Sequence, residues 1–134
     1  GLVNNGMLFT VAIIGAISFT PVIILYFLII LGAPVGEYVM GGKNRIIPKE
    51  SRPPFITALI VQLILLFILL QVGGIIPFLL EPPLTCGIGY FFALYLLFNA
   101  AISLFSFSRK EKLFVAPLYL ITSICFWATL LLNS

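Results

Sequence analysis

The stretch GAPVGEYVMGGKNRIIPKESRPP, residues 32–54, holds four of the seven Lys and Arg residues of this 134-residue chain. The other three lie in SRKEK, residues 108–112, and Glu81 is the remaining charged residue outside these two basic segments. The charges separate uncharged, strongly apolar blocks at residues 1–36, 53–80, 82–108 and 113–134. Each block reaches the about 20 apolar residues that a helix needs to cross the hydrocarbon core of a bilayer. The sequence therefore predicts four membrane-spanning helices.

The composition agrees with a membrane protein. Hydrophobic residues make up 62% of the chain and charged residues 8%, whereas about 25% of the residues in a soluble domain are charged. The mean hydropathy is +1.25. We therefore expect an all-α integral membrane four-helix bundle, with residues 1–134 forming a single membrane domain.

The distribution of charge predicts the orientation. Basic residues accumulate in short loops on the cytoplasmic side of a membrane, and all seven lie in the two basic segments. We therefore expect both segments inside and both termini outside, in the cytoplasmic membrane of a bacterium. The net charge of +3 is explained by this topology, so no nucleic-acid partner is expected. The start of the chain lacks a basic region before its apolar run, so a cleaved signal is not expected.

Proline and glycine punctuate the apolar blocks and set the expected boundaries. Pro21 predicts a kink within the first span, and Pro82-Pro83 with the apolar run 75–80 predict an irregular outer connection. The expected spans are about 7–31, 54–74, 87–107 and 113–132, with cytoplasmic loops at 32–53 and 108–112 and an outer loop at 75–86.

Each predicted span carries an uncharged polar residue near its middle. These residues are Ser18 and Thr20, Gln62, Asn99, and Thr122 and Ser123. In lipid such groups face other helices, because an unpaired amide in hydrocarbon costs several kcal/mol. They predict interhelical hydrogen bonds, with Gln62 the expected partner of Asn99; the alternative is a polar pocket or substrate path.

Glu37 lies where the first span leaves the membrane, after a Gly-Ala-Pro-Val-Gly sequence. It is expected to pair with Lys43, Arg45 or a base of the second basic segment. Arg109 and Lys112 are the favoured partners in that segment, and partial shielding from water would strengthen the pair. The alternative is a proton-linked functional carboxylate, since carboxylates within membranes are usually functional.

The glycine-rich sequence GEYVMGGKN, residues 36–44, does not fit a nucleotide-binding P-loop. A P-loop needs Gly-Lys-Ser/Thr after a buried strand, whereas Asn44 follows Lys43 here. The turn could present backbone N–H groups, Lys43 and Arg45 to a lipid phosphate. The alternative is a tight basic turn without a ligand.

The sequence excludes several kinds of site. It contains no His and no Asp, which removes His-ligated haem, ordinary zinc sites and His-dependent acid–base catalysis. Cys86 and Cys125 do not form a CxxC motif, which argues against a disulfide oxidoreductase. No cofactor is expected.

Several short motifs resemble those of a group of small four-span bacterial membrane proteins with no established activity. The motifs are Gly32-Ala33-Pro34-x-Gly36-Glu37, Gly41-Gly42, Pro48, Arg52, Asn99, Ser106-x-Ser108, Glu111-Lys112 and Pro117. The resemblance covers both basic segments and the adjoining helix ends. It implies a four-span fold in a membrane and a single site formed by the two basic segments, and it supplies no catalytic residue.

These observations favour a protein that binds or moves a small apolar or lipid-like ligand within the bundle. The rim at Glu37, Lys43, Arg45 and Arg109 would hold the polar end of the ligand, and Gln62 and Asn99 would contact it deeper in the bundle. The first alternative is an accessory, protective or interaction subunit of a membrane complex, and an oligomer is compatible with either. A lipid-modifying enzyme is the weaker alternative, because no nucleophile–base pair is visible. Membrane lipids are the expected partners in every case.

The predicted topology can be tested by labelling single cysteines after replacing the two native ones. A cysteine at Asn5 or Asn133 should react with an impermeant reagent on intact cells, because both termini are expected outside. Cysteines at Asn44 or Ser108 should react only after the membrane is opened. Labelling at Asn44 from outside would contradict the orientation inferred from charge.

Overall fold

A computed structural model of the chain describes residues 5–133. The first four residues and the last residue of the predicted domain, 1–134, lie outside the described part. The described part is 80% helix with no strand. Its long helices are α1 (Asn5–Ile30), α2 (Pro53–Val72), α3 (Pro82–Leu104) and α4 (Ala116–Asn133), and a π-helical turn, Glu111–Val115, leads into α4. The predicted all-α fold with four helices capable of spanning a membrane is confirmed.

The four helices form an antiparallel bundle in which α4 packs between α1 and α3, and α2 packs against both α1 and α3. Buried apolar side chains from all four helices form the core, including Phe19, Leu65, Leu96 and Phe126. Outward-facing side chains are also apolar: Ile17, Phe91 and Ile102 are each more than 60% exposed. A surface of this kind is suited to contact lipid tails, as expected for a multi-pass membrane protein.

Two ends of the bundle are distinguished by their connections. The basic end carries the α1–α2 connection, residues 31–52, and the α3–α4 connection, residues 105–110. The opposite end carries the α2–α3 connection, residues 73–81, and is called the Glu81 end. At the Glu81 end the Asn133 side chain donates a hydrogen bond of 2.7 Å to the Val72 carbonyl, which joins the last residues of α4 and α2.

Helix α3 begins at Pro82, earlier than the predicted start near residue 87. Pro82 and Pro83 occupy the first two helical positions, where a proline loses no helical hydrogen bond. The Glu81 carbonyl accepts the first one, from the Thr85 N–H at 3.0 Å. The connection before it is irregular as predicted, and the Gln71 side chain fixes it by accepting a hydrogen bond of 2.9 Å from the Leu79 N–H.

The polar groups near the middle of the spans do not join the helices in the predicted way. The Asn99 amide donates to the Tyr95 carbonyl of its own helix at 2.7 Å, and Thr20 and Thr122 likewise bond to carbonyls four residues earlier. Gln62 is fully buried, and neither amide atom has a hydrogen-bond partner among the described residues. The expected Gln62–Asn99 bond is therefore wrong, because the Asn99 amide bonds instead to the carbonyl one turn back on its own helix.

Helix α1 passes through Pro21 as one continuous helix, from Asn5 to Ile30. It lies close to α2 at the Glu81 end, where a methyl group added to Gly73 would lie 2.2 Å from the Ala12 Cβ. Gly73 has an ordinary φ of −77°, so space and not backbone conformation requires glycine there. Small residues at such contacts allow membrane helices to pack closely.

Replacing Gly73 with alanine should lower the free energy of unfolding by about 1–3 kcal/mol, because the added methyl overpacks the α1–α2 contact. The midpoint of thermal unfolding in detergent would measure the loss. Ala12→Gly in the same chain should restore part of it by removing the opposing methyl. Gly87→Ala is the matched control, since nothing lies within 4 Å of its added Cβ; an equal loss in that variant would contradict the packing argument.

A cleft at the basic end of the bundle

The first basic segment folds back beneath the bundle through three consecutive residues with left-handed backbone. Met40, Gly41 and Gly42 have φ values of 52°, 69° and 73°. Two of the three are glycines, which adopt this region without steric cost. A Cβ on Gly42 would lie 2.9 Å from the Ser108 Cβ. The glycines therefore allow the loop at 36–44 to lie directly against the α3–α4 connection.

Glu111 joins these two parts of the chain. Its side chain is only 7% exposed, and its Oε1 atom accepts hydrogen bonds from the Gly41 N–H at 3.0 Å and the Ser106 hydroxyl at 2.5 Å. Two bonds to a buried carboxylate satisfy a group that would otherwise be costly to remove from water. Glu111 thus fixes the position of a loop that lies 70 residues away in sequence.

Ser108 completes the contact. Its hydroxyl donates to the Glu37 carbonyl and accepts from the Glu111 N–H at 3.2 Å. The spacing Ser108-x-x-Glu111 matches the capping box that opens a helix, and this signal could have pointed to both residues as a structural unit. Because Ser108 is buried, a labelling experiment is better placed at exposed Arg109 than at Ser108.

Glu37 pairs with Lys110 across the two basic segments, with 2.7 Å between Oε2 and Nζ. The expected bridge between the segments is present, but its basic partner is Lys110 and neither Arg109 nor Lys112. The two side chains are 38% and 51% exposed, so the expected shielding from water is wrong. The ammonium also lies 5.6 Å from the centre of the Tyr38 ring. This pair belongs to the weak, salt-screened class of surface ion pairs.

The other predicted rim residues, Lys43, Arg45 and Arg109, are exposed. The Arg45 backbone has a structural role, because its carbonyl accepts a 2.8 Å hydrogen bond from the Gly36 N–H. None of these three basic side chains lines the cleft described next.

A cleft runs between α2 and α3 at the basic end, beneath Met40. It has two lobes of about 470 and 510 Å³ that share Tyr26, Met40, Phe55 and Asn99. The Glu111 lobe is further lined by Val39, Gly41, Ile102, Ser103, Phe105, Ser106, Phe107, Glu111 and Tyr119. The Glu50 lobe is further lined by Glu50, Ser51, Pro54, Ala58 and Tyr95.

The surface of the cleft is part polar and part apolar. The Tyr119 hydroxyl donates to the Tyr26 hydroxyl at 3.3 Å, and the Tyr26 ring lies 5.5 Å from the Phe55 ring, centre to centre. Asn99 lines both lobes, while the other midspan amide, Gln62, lines neither. The structure therefore brings one predicted site residue, Asn99, into the cleft, and adds Glu111, Tyr26 and Tyr119.

No family model matches the chain, and no curated protein or solved structure is significantly similar to it. The resemblance to small four-span bacterial membrane proteins therefore stays a prediction.

The Glu37–Lys110 pair predicts a dependence of stability on pH. Hydrogen bonding and charge from Lys110 lower the pKa of Glu37 below its ordinary 4.5, and Glu37 raises the pKa of Lys110 above 10.5. The stabilisation is therefore present between about pH 4.5 and pH 10.5. It is lost as the pH falls through the lowered pKa or rises through the raised one.

Glu37→Gln should lower the melting temperature slightly at neutral pH and low salt, and the difference should shrink at high salt. Thermal unfolding of the wild type and the variant across this pH range would measure it. Glu81 forms no ion pair among the described residues, so Glu81→Gln should leave the melting temperature nearly unchanged at low and at high salt. A difference that persists in acid below the lowered pKa of Glu37 would contradict the pairing.

Proposed function

We propose that this protein binds an amphipathic, lipid-like molecule in the cleft between α2 and α3. The observation that carries the proposal is the cleft itself, whose lining joins apolar side chains such as Val39 and Ile102 to two tyrosine hydroxyls and Asn99. The apolar part of the ligand would lie against the first and its polar end against the second. The lobes have volumes within the range of about 300–1,000 Å³ typical of ligand pockets.

Two features support access from the bilayer. Helices α2 and α3 make the least extensive packing of the four neighbouring helix pairs, and Ile102, which lines the cleft, is also largely exposed. A ligand dissolved in the membrane could therefore enter sideways between these helices. With the basic end in the cytoplasm, the ligand would come from the inner leaflet of the cytoplasmic membrane, and binding could serve its movement.

The second candidate function is that of an accessory subunit in a membrane complex. Phe107 is fully exposed and Phe105 is 85% exposed, in the connection beside the second basic segment. Exposed aromatic side chains are enriched at the centres of protein interfaces. On this hypothesis a partner membrane protein covers the two rings, and the cleft is only a gap at the edge of that interface.

Ala58→Phe tests the first candidate, because Ala58 lines the Glu50 lobe and a phenyl ring there would obstruct part of the lobe. Native mass spectrometry of the purified protein should show a retained amphiphile in the wild type and about ten-fold less of it in Ala58→Phe, because the obstructed cleft binds it more weakly.

The matched control is Ile60→Phe, at an exposed position on the same helix, which should retain the ligand. Equal retention in Ala58→Phe and the wild type, with both folded, would overturn binding in the cleft. Loss of a co-purifying protein on Phe107→Ala, with no ligand in the wild type, would favour the accessory subunit.

A further inference from the structure

The charges that line the cleft are all negative. Glu111 lies in one lobe and Glu50 in the other. All seven Lys and Arg residues fall within the described part of the chain, and none of them lines either lobe. An anionic head group in the cleft would be repelled by these carboxylates and would find no basic side chain there. The charge that lines the cleft is thus negative, whereas the charge of the surrounding surface at the basic end is positive.

Glu111 is placed to receive a positive group. Its two hydrogen bonds, from Gly41 and Ser106, both end on Oε1. Oε2 takes part in neither bond, although the residue lines the cleft. A carboxylate held rigidly by a backbone N–H and a hydroxyl can meet a cation without reorganising, which lowers the cost of binding.

Aromatic rings provide the second part of a cation site. Tyr26 and Phe55 line both lobes, Tyr119 lines the Glu111 lobe and Tyr95 the Glu50 lobe. The Tyr26 and Phe55 rings are tilted by 56° to each other, so they present differently directed faces. Several aromatic faces beside a carboxylate are the arrangement that recognises ammonium groups in proteins.

We infer that the cleft selects a cationic amphiphile, whose ammonium group lies among the aromatic rings within reach of Glu111. The inference rests on the proposed function and specifies the charge of its ligand. It also replaces the expectation that Lys43, Arg45 and Arg109 hold the polar end of a cleft ligand, because those side chains lie outside the cleft. Anionic lipid head groups would bind instead to the exposed basic surface around the cleft.

Binding of three amphiphiles with the same alkyl chain tests the inference: dodecyltrimethylammonium, dodecanol and dodecanoate. Each is equilibrated by dialysis with the full chain in nanodiscs of digalactosyldiacylglycerol, an uncharged lipid without an ammonium group, and binding to empty nanodiscs is subtracted. The ammonium compound should bind at least about ten-fold more tightly than the carboxylate, because hydrogen-bonded or ion-paired charges and cation–π contacts each contribute on the scale of a ten-fold change.

Glu111→Gln should bring the affinities for the ammonium compound and the carboxylate close together, because it removes the negative charge from the Glu111 lobe. Glutamine keeps an oxygen that can accept from Gly41 and Ser106, so the loop contact is preserved. Glu81→Gln removes the same charge at the opposite end, where the side chain is exposed, and should retain the wild-type preference. Ala58→Phe should reduce binding of all three compounds.

The outcomes separate the two proposals. Dodecanol binding that Ala58→Phe abolishes, together with ammonium binding no tighter than carboxylate binding, would overturn the cationic ligand and leave the cleft as a lipid site. Absence of any binding sensitive to Ala58→Phe would overturn the proposed function itself. The comparison among ligands is made on the wild-type protein, so the inference stays testable even where Glu111→Gln fails to fold.

Discussion

The hydrogen bonds to the buried carboxylate of Glu111 hold the basic end of this protein together. They connect the turn before α4 to the glycine-rich loop between α1 and α2, and thereby place Met40 and Gly41 over the cleft. Burial of the carboxylate without such bonds would be unfavourable, because its loss of hydration would not be compensated. The position of the loop, the shape of the Glu111 lobe and the charge within it therefore follow from one side chain.

Much of the fold follows from the spacing of charges along the sequence. Four uncharged blocks predict four helices because a bilayer imposes a minimum length on each one. The first residue of α3 was harder to predict from the sequence, since Pro82-Pro83 can lie within a loop or at the first two positions of a helix. The expected Gln62–Asn99 contact is also absent, because the sequence does not specify the direction of each side chain. Depth in the membrane predicts which groups lie at one level, but the direction of a side chain around its helix decides which acceptor it meets.

The site was only partly predictable. The contact between the two basic segments was expected from Glu37, but the choice of Lys110 over its neighbours depends on the exact turn of the α3–α4 connection. Glu111 is not among the predicted site residues, because a carboxylate among three basic residues is typical of an exposed charged loop. Its burial depends on the left-handed backbone at Met40, Gly41 and Gly42, and glycine spacing alone does not reveal which distant group such a loop will meet.

The same contact has a consequence for the order of assembly in the membrane. During synthesis α1, the glycine-rich loop and α2 emerge first, while Ser106, Ser108 and Glu111 are still to be made. Until the second hairpin arrives, the Gly41 N–H has no native acceptor, and nothing from that hairpin holds Met40 in its left-handed conformation. The first half of the chain can therefore insert as a hairpin but cannot complete its own loop. The cleft comes into existence only with the last third of the polypeptide, so a truncated chain would occupy the bilayer without a ligand site.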